Sequence, residues 1–198
     1  MIIRKMRSAN IKRETGETGI EISVNLDGHG NVHTKTGFEF IDHLIITFAK
    51  YSMVDIKIQT KYHDSISHHL IEDIGITLGL SMDKALAERT AISRFGYATI
   101  PMDESLSLAS IDLIRRKYCR LTLKLRRKEI EGIDVEDIEH FFKSWMDNLC
   151  ACIHIGVQYG RNDHHKIESA VKSFAVAFRN AASKDSRRRG IPSTKGAM

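Results

Sequence analysis

The 198-residue sequence predicts an internally duplicated α+β fold, in which two similar halves share one core. Hydrophobic residues recur with a period of two in some segments and with a helical period in others. The order strand pair, helix, strand, helix occurs twice. Each half also carries an acidic-His dipeptide, followed 24 or 25 residues later by His-His-x-x-Glu. No Pro/Gly-rich linker interrupts residues 93–103. We therefore predict one domain over residues 1–198, with halves of approximately 1–93 and 94–198.

The first half alternates between strand and helix patterns. Ile20, Ile22 and Val24 alternate with polar residues, and Asp27-Gly28 with Gly30 predicts a hairpin turn after them. The apolar side of the first helix is formed by Phe40, Leu44, Phe48 and Tyr51. The predicted elements are strands within 11–36, a helix over 38–52, a strand over 53–60 and a helix from 68 to about 88.

The second half repeats this order. Leu121, Leu123 and Leu125 alternate as a strand should, and His164-His165 opens the last helix. The tail after Ala182 is polar, and we predict that it is irregular. The predicted elements are strands over 104–113 and 118–126, a helix over 134–150, a strand over 151–158 and a helix over 164–182.

Composition excludes several classes of protein. Thirty Lys and Arg residues against 25 Asp and Glu residues give a net charge of +5, but they are mostly dispersed and no aromatic platform accompanies them. We therefore expect no nucleic-acid partner. No apolar run approaches the roughly 20 residues of a membrane helix, so we expect no membrane partner. The start of the chain lacks an apolar signal region, and the three cysteines lie among apolar residues. These features predict a cytoplasmic protein.

The doubled His-His-x-x-Glu motif predicts a metal centre. At the start of a helix, residues three and four positions apart share a face, so a histidine and the glutamate can converge. Imidazole nitrogens with carboxylate oxygens suit a divalent transition metal, and a set without cysteine favours a site with open positions. Neighbouring histidines point about 100° apart, so each can serve a different ion. The pattern therefore favours two metal ions over one.

A second set of side chains predicts an anion site, with phosphate the best candidate. Lys172 lies four residues after Glu168 on the same helical face, and the tail offers Ser193-Thr194-Lys195-Gly196. Hydroxyl groups, lysines and a glycine backbone are common phosphate contacts. Arg94 and Arg116 are further candidates.

These motifs resemble those of the imidazoleglycerol-phosphate dehydratase family, which acts in histidine biosynthesis. The resemblance covers nearly the whole chain, and the paired metal motifs with the terminal Ser-Thr-Lys-Gly make it specific. Its motifs are Arg13-Glu14-Thr15-x-Glu17-Thr18, Phe40-x-Asp42-His43-Leu44, His68-His69-x-x-Glu72-Asp73, Arg94-Phe95, Pro101-Met102-Asp103-Glu104, Asp112-Leu113, Arg116-x-Tyr118, His140-Phe141-Phe142, Gly160-x-Asn162-x-His164-His165-x-x-Glu168, Lys172 and Ser193-Thr194-Lys195-Gly196.

The resemblance implies a fold in which each half is a four-stranded sheet packed with two helices. It implies two manganese ions per active site and trimers, eight of which form a metal-dependent 24-subunit shell with sites built from more than one subunit. The implied metal ligands are His43, His68, His69, Glu72, His140, His164, His165 and Glu168. The implied substrate contacts are Glu17, Arg94, Arg116, Lys172, Ser193 and Lys195.

The chain departs from the family pattern in three places. Tyr51 stands where the family usually has a histidine that helps to hold the substrate. Ile66-Ser67 replaces the usual Asp-Asp before the first His pair, which predicts different hydrogen bonds to His68 or His69. The loop 62–67 also looks one residue short. None of these changes removes an implied metal ligand.

The implied reaction removes water from D-erythro-imidazole glycerol phosphate and gives imidazole acetol phosphate. The proton to be removed is not next to a carbonyl, so the resemblance implies that metal ions favour an imidazolate, which expels the hydroxyl through a diazafulvene-like intermediate. Glu17 is the candidate for moving protons, and Glu168 is the alternative. Two other functions stay open from the residues: a dinuclear metallohydrolase, and a metal-stabilised assembly that binds nucleic acid.

Overall fold

The computed structural model describes residues 6–196, which form two four-stranded sheets, one two-stranded sheet and four helices around one hydrophobic core. The ends of the predicted domain, 1–5 and 197–198, lie outside the described residues. No helix in the described part is both long enough and apolar enough to cross a bilayer. The elements are β1 (Ser8–Glu14), β2 (Thr18–Asn25), β3 (Val32–His33), α1 (Glu39–Ser52), β4 (Asp55–His63), α2 (Ser67–Leu86), β5 (Phe95–Met102), β6 (Ser105–Asp112), β7 (Tyr118–Thr122), β8 (Glu129–Ile130), β9 (Ile133–Asp134), α3 (Val135–Asn148), β10 (Cys152–Tyr159) and α4 (Asp163–Ala182).

The two large sheets have the same topology. Their strand orders are β1-β2-β4-β3 and β5-β6-β10-β7. In each sheet the first three strands in this order are antiparallel, and the last is parallel to its neighbour. The predicted α+β class with two similar halves is therefore confirmed at the level of strand order and direction.

Strand β5 of the second sheet was not predicted from the sequence. The segment Phe95–Met102 contains Gly96 and Pro101, both of which lower strand propensity. The structure explains both residues. Strand β5 lies at the edge of its sheet, where proline is tolerated, and a Cβ on Gly96 would lie 2.0 Å from the carbonyl oxygen of Ala177 in α4. Packing against α4, and not local strand propensity, therefore explains why this segment forms a strand.

The hairpin predicted at residues 27–30 is wrong. Strand β2 pairs with β4 and not with β3, so this turn carries the chain across β4 to the far edge of the sheet. The Asp55 carboxylate holds the turn, because its Oδ1 accepts from the backbone N–H groups of His29 and Asn31 at 2.9 Å each. The actual hairpin lies between β1 and β2, around Glu17.

The helices meet at a buried aromatic cluster. Helix α2 packs on β1, β2 and α3, whereas α4 packs on β5, β6, β10 and α1. Trp145 of α3 lies 4.5 Å from the Phe48 ring of α1 and 5.2 Å from the Phe174 ring of α4, between ring centroids. Its indole N–H points to Met82 Sδ of α2 at 3.2 Å. All four helices therefore have fixed positions relative to one another, and their N-terminal ends carry the polar motifs.

Candidate metal centre and active site

Two groups of three possible metal ligands lie at helix–helix contacts. Within each group the ligand atoms lie within 4.8 Å of one another. One group combines α1 with α4 and the other combines α2 with α3. In both, the His-His-x-x-Glu motif of one half meets the acidic-His dipeptide of the other half. The groups are His43, His164 and Glu168, and His68, Glu72 and His140.

The first group is arranged around one carboxylate oxygen. Glu168 Oε2 lies 3.5 Å from His43 Nε2 and 3.4 Å from His164 Nε2. The His43 Nε2 atom is buried and has no hydrogen-bond partner among the described residues. A buried imidazole nitrogen without a partner is costly unless something binds it. This nitrogen and carboxylate set fits a divalent transition metal ion.

The second group has similar geometry. His140 Nε2 lies 3.2 Å from Glu72 Oε1, and the rings of His68 and His140 lie 4.6 Å apart between centroids. Each of these three side chains is partly exposed. The group therefore offers two imidazoles and one carboxylate that solvent or a ligand can reach.

Every histidine of the two His-His pairs has a carboxylate at its Nδ1 atom. A carboxylate at Nδ1 keeps the proton there and leaves Nε2 free as a ligand atom, which is the usual arrangement around metal-binding histidines. These four carboxylates were missed from the sequence, because three of them lie 33 to 69 positions away from the histidine. The contacts are His68 to Asp137 at 2.6 Å, His69 to Asp64 at 2.8 Å, His164 to Glu131 at 3.2 Å and His165 to Glu104 at 2.8 Å.

His69 and His165 lie outside both groups of three among the described residues. The hydrogen bond that His69 Nδ1–H donates to Asp64 raises the pKa of His69 and lowers the pKa of Asp64. The backbone N–H of Asn162, followed by His165, holds the pKa of Glu104 well below its ordinary value. Both carboxylates are therefore ionised at neutral pH. Each accepts a hydrogen bond from the Nδ1–H group of its histidine and so orients the imidazole ring.

Lys172 contacts the first group through Glu168. Its Nζ lies 2.7 Å from Glu168 Oε1, so the two oxygens of that carboxylate face different partners. Burial raises the pKa of Glu168, but the hydrogen bond and charge of Lys172 outweigh it, and the pKa lies below its ordinary value. Lys172 Nζ also lies 5.5 Å from the centroid of the Tyr51 ring. Tyr51 is 44% exposed, so it is not buried like Phe40, Leu44 and Phe48, with which it was predicted to share the apolar side of α1.

Glu17 lies in the turn between β1 and β2, next to His69. Its Oε2 atom is 3.7 Å from His69 Nδ1, and its side chain is more than half exposed. Buried Asp73 fastens this turn to α2, because it accepts hydrogen bonds from Arg13 Nε at 2.7 Å and from the Thr18 hydroxyl. The structure thus places Glu17 beside His69, the second histidine of the first His-His pair.

The predicted anion contacts are only partly brought together. Arg94 forms a two-fold hydrogen bond with Asp112, at 2.7 and 2.9 Å, and its third nitrogen donates to the carbonyl of Pro192 at 2.8 Å. These contacts tie the tail to the start of β5. Beyond Pro192, Ser193 Oγ accepts from the backbone N–H of Lys195 at 3.2 Å. Arg116 is exposed between β6 and β7 and makes no hydrogen bond or ion pair within residues 6–196.

Comparisons with known proteins agree on one family. The profile of imidazoleglycerol-phosphate dehydratase matches residues 36–178. The curated enzyme of that name from Desulforamulus reducens is 42% identical over 193 residues, covering 97% of this chain and 98% of the relative. The enzyme from Listeria innocua is 39% identical over 194 residues, covering 98% of this chain and 100% of the relative.

Solved structures give the same result. The crystal structure of imidazoleglycerol-phosphate dehydratase from Staphylococcus aureus superposes with a TM-score of 0.81 at 28% identity, covering 90% of this chain and 99% of that chain. The enzyme from Pyrococcus furiosus in complex with (S)-C348 superposes with a TM-score of 0.80 at 34% identity, covering 95% of this chain and 100% of that chain.

Proposed function

The chain belongs to the imidazoleglycerol-phosphate dehydratase family, hydro-lyases of histidine biosynthesis, and we propose that its two groups of three ligands hold the metal ions for this dehydration. The observation that carries the proposal is the meeting of each His-His-x-x-Glu motif with a histidine from the other half. The reaction eliminates water from D-erythro-imidazole glycerol phosphate and leaves imidazole acetol phosphate.

The proposed cofactor is manganese, with two ions per active site. The proposed ligands are His43, His68, His69, Glu72, His140, His164, His165 and Glu168. Mixed imidazole and carboxylate donors suit this ion, although they also suit iron, cobalt and zinc. His69 and His165 stand outside the groups of three, with Nδ1 already committed to a carboxylate. This supports a role for their Nε2 atoms in completing a site together with another subunit.

Bound metal ions would supply Lewis acidity that favours the imidazolate form of the substrate ring. The proton on carbon then needs a base of this chain. Glu168 is a poor candidate, because its Oε1 contacts Lys172 and its Oε2 faces His43 and His164 within the first group of ligands. Glu17 is more than half exposed and makes no short hydrogen bond to His69. We therefore assign proton transfer to Glu17 and metal binding to Glu168.

The phosphate end of the substrate is assigned to the remaining cations and the tail. Arg94 already binds Asp112 and Pro192, so it contributes by fixing the tail that carries Ser193 and Lys195. The exposure of Arg116 leaves its guanidinium available to an anion. Lys172 completes the set, with the Tyr51 ring beside it in place of the family histidine.

The proposal extends to assembly and location. The proposed assembly is a 24-mer of eight trimers, in which metal ions join subunits, and each chain is one domain with halves of approximately 1–93 and 94–198. Three free cysteines, Cys119, Cys150 and Cys152, support a reducing compartment and therefore the cytoplasm.

The deciding experiment is an assay of purified protein, stripped with chelator and reloaded with manganese, on imidazole glycerol phosphate. We expect the acetol product to form with about two Mn per chain, and stripping to abolish turnover. Release of free phosphate in place of the acetol product would instead identify a metallohydrolase. Full activity with no transition metal above trace level would overturn the metal assignment.

A further inference from the structure

The resemblance implies an acidic pair directly before the first His-His motif, and this chain lacks it. Ile66, whose side chain carries no hydrogen-bond acceptor, and Ser67, the first residue of α2, occupy those positions. The structure nevertheless places a carboxylate on His69. Asp64, two residues upstream of Ile66, lies with Oδ2 2.8 Å from His69 Nδ1.

Asp64 is held in place by contacts on both sides. Its backbone N–H donates to the carbonyl of Glu17 at 2.9 Å, and its Oδ1 accepts from the backbone N–H of Ile66 at 3.0 Å. The residue therefore joins the turn between β1 and β2 to the start of α2. With Oδ1 committed to the loop, Oδ2 is the oxygen that remains for the imidazole.

Glu17 is the competing carboxylate at the same nitrogen. Its Oε2 lies 3.7 Å from His69 Nδ1, beyond hydrogen-bonding distance. Because Asp64 occupies the Nδ1 position, Glu17 is not drawn into a hydrogen bond with His69. A single loop carboxylate thus affects both the proposed ligand and the proposed base.

We infer that Asp64 is the positioning residue of His69: it fixes the ring proton on Nδ1, keeps Nε2 as the ligand atom and leaves Glu17 uncommitted. The inference rests on the proposed function for the role of His69. It also identifies a carboxylate for His69 in a chain whose residues directly before the His-His pair, Ile66 and Ser67, are not acidic.

Substitution of Asp64 by Asn separates this role from loop folding. Asparagine has one oxygen, and the Ile66 N–H needs it. The amide NH₂ group then faces His69 Nδ1, which must accept, so the ring proton moves to Nε2 and the ligand lone pair is lost. Glu14→Gln is the matched control, because Glu14 is an exposed carboxylate at the end of β1 that pairs with Lys61 and touches no histidine.

The test uses the full chain in metal-free form, with ¹⁵N-labelled histidine, and identifies the His69 signals by their loss in His69→Gln. We expect the ring proton on Nδ1 in the parent protein and in Glu14→Gln, and on Nε2 in Asp64→Asn. Calorimetric titration with MnCl₂ should show affinity at one class of site falling by about 10- to 100-fold in Asp64→Asn only. In a His69→Gln background the Asp64 substitution should have no further effect.

An unchanged His69 tautomer with unchanged manganese affinity in Asp64→Asn would overturn the inference. If Asp64→Asn does not fold, Asp64→Ser gives the same comparison, because serine still accepts from a backbone N–H near a helix start and lacks the second oxygen. The readouts are independent of turnover. Absence of acetol product from the manganese-loaded parent protein would defeat the proposed function, whereas the tautomer and titration results decide the role of Asp64.

Discussion

At the scale of single residues, two carboxylates of the site each use their two oxygens to bind different partners. Glu168 presents Oε2 to two histidines and Oε1 to Lys172, and Asp64 divides its oxygens between a backbone N–H and His69. Each division fixes a side chain that would otherwise rotate. Geometry of this kind holds a ligand set before any ion binds, which lowers the entropy cost of binding.

Lys172→Met tests whether Lys172 binds the anionic end of the substrate. The change keeps the length and apolar stem and removes the charge that faces Glu168 Oε1. We expect kcat/KM to fall by about 100-fold or more, as for the loss of a charge-assisted contact of about 3 kcal/mol. Metal content should persist, because Lys172 is not a proposed ligand and the change leaves in place the Glu168 oxygen that faces His43 and His164. Steady-state kinetics measures kcat/KM, and elemental analysis measures the metal content.

The control for Lys172 is Lys57→Met, an exposed lysine on β4. Its kcat/KM should stay within about two-fold of the parent value, as for most surface substitutions. Parent-like kcat/KM in a metal-replete Lys172→Met protein would show that Lys172 does not contact the substrate, and would weaken the assignment of the other phosphate contacts.

At the scale of elements, the site depends on how closely helices approach. The group of His68, Glu72 and His140 forms only where α2 meets α3. Glycines of α2 permit this approach: a Cβ on Gly79 would lie 2.4 Å from the Trp145 carbonyl oxygen and 2.8 Å from Asn148 Cβ. Both atoms belong to α3, and the first is backbone, so the contact cannot relax by a rotamer change.

Gly79→Ala should therefore push α3 away from α2. Alanine favours a helix by about 1 kcal/mol over glycine, but overpacking against backbone costs about 1–3 kcal/mol. We expect a net loss of stability in urea denaturation, and weaker binding of manganese because His140 moves away from Glu72. Gly156→Ala on β10 is the control, because its Cβ would meet nothing nearer than 3.6 Å. Equal stability and metal affinity in the two variants would refute this account of the helix contact.

Asp55→Asn tests the turn that replaced the predicted hairpin. Burial raises the pKa of Asp55, but backbone N–H groups of His29 and Asn31 outweigh it and lower the pKa below the ordinary value. A lowered pKa in the folded state means that the carboxylate stabilises the fold above pH 4 or so, and that this stabilisation disappears as the pH falls through the folded-state pKa. The stability deficit of Asp55→Asn should thus be largest near pH 7 and shrink below about pH 4. A deficit independent of pH, in urea denaturation series, would contradict the charge-based account.

At the scale of the whole molecule, periodicity predicted the elements that are buried on one face, and packing decided the rest. The stripe of Phe40, Leu44 and Phe48 predicted α1, and all three are buried. Strand β5 was missed because its edge position and its contact with α4 permit Pro101 and Gly96. The repeated motifs predicted the ligand types. They did not reveal that each group of three takes a histidine from the other half, since this exchange depends on the pairing of α1 with α4 and of α2 with α3.

Among the described residues, His69 and His165 belong to neither group of three, and this leads to a prediction about particle size. If their Nε2 atoms complete metal sites with another subunit, manganese must favour a larger assembly, by linkage between binding and association. Light scattering should report a large particle with manganese and a smaller, trimer-sized particle after chelation. His69→Gln with His165→Gln should remain small even with manganese, whereas His33→Gln, on the exposed surface of β3, should behave as the parent. A particle of the same mass in all of these conditions would show that neither histidine joins subunits, and the two groups of three would then have to bind metal within a single chain.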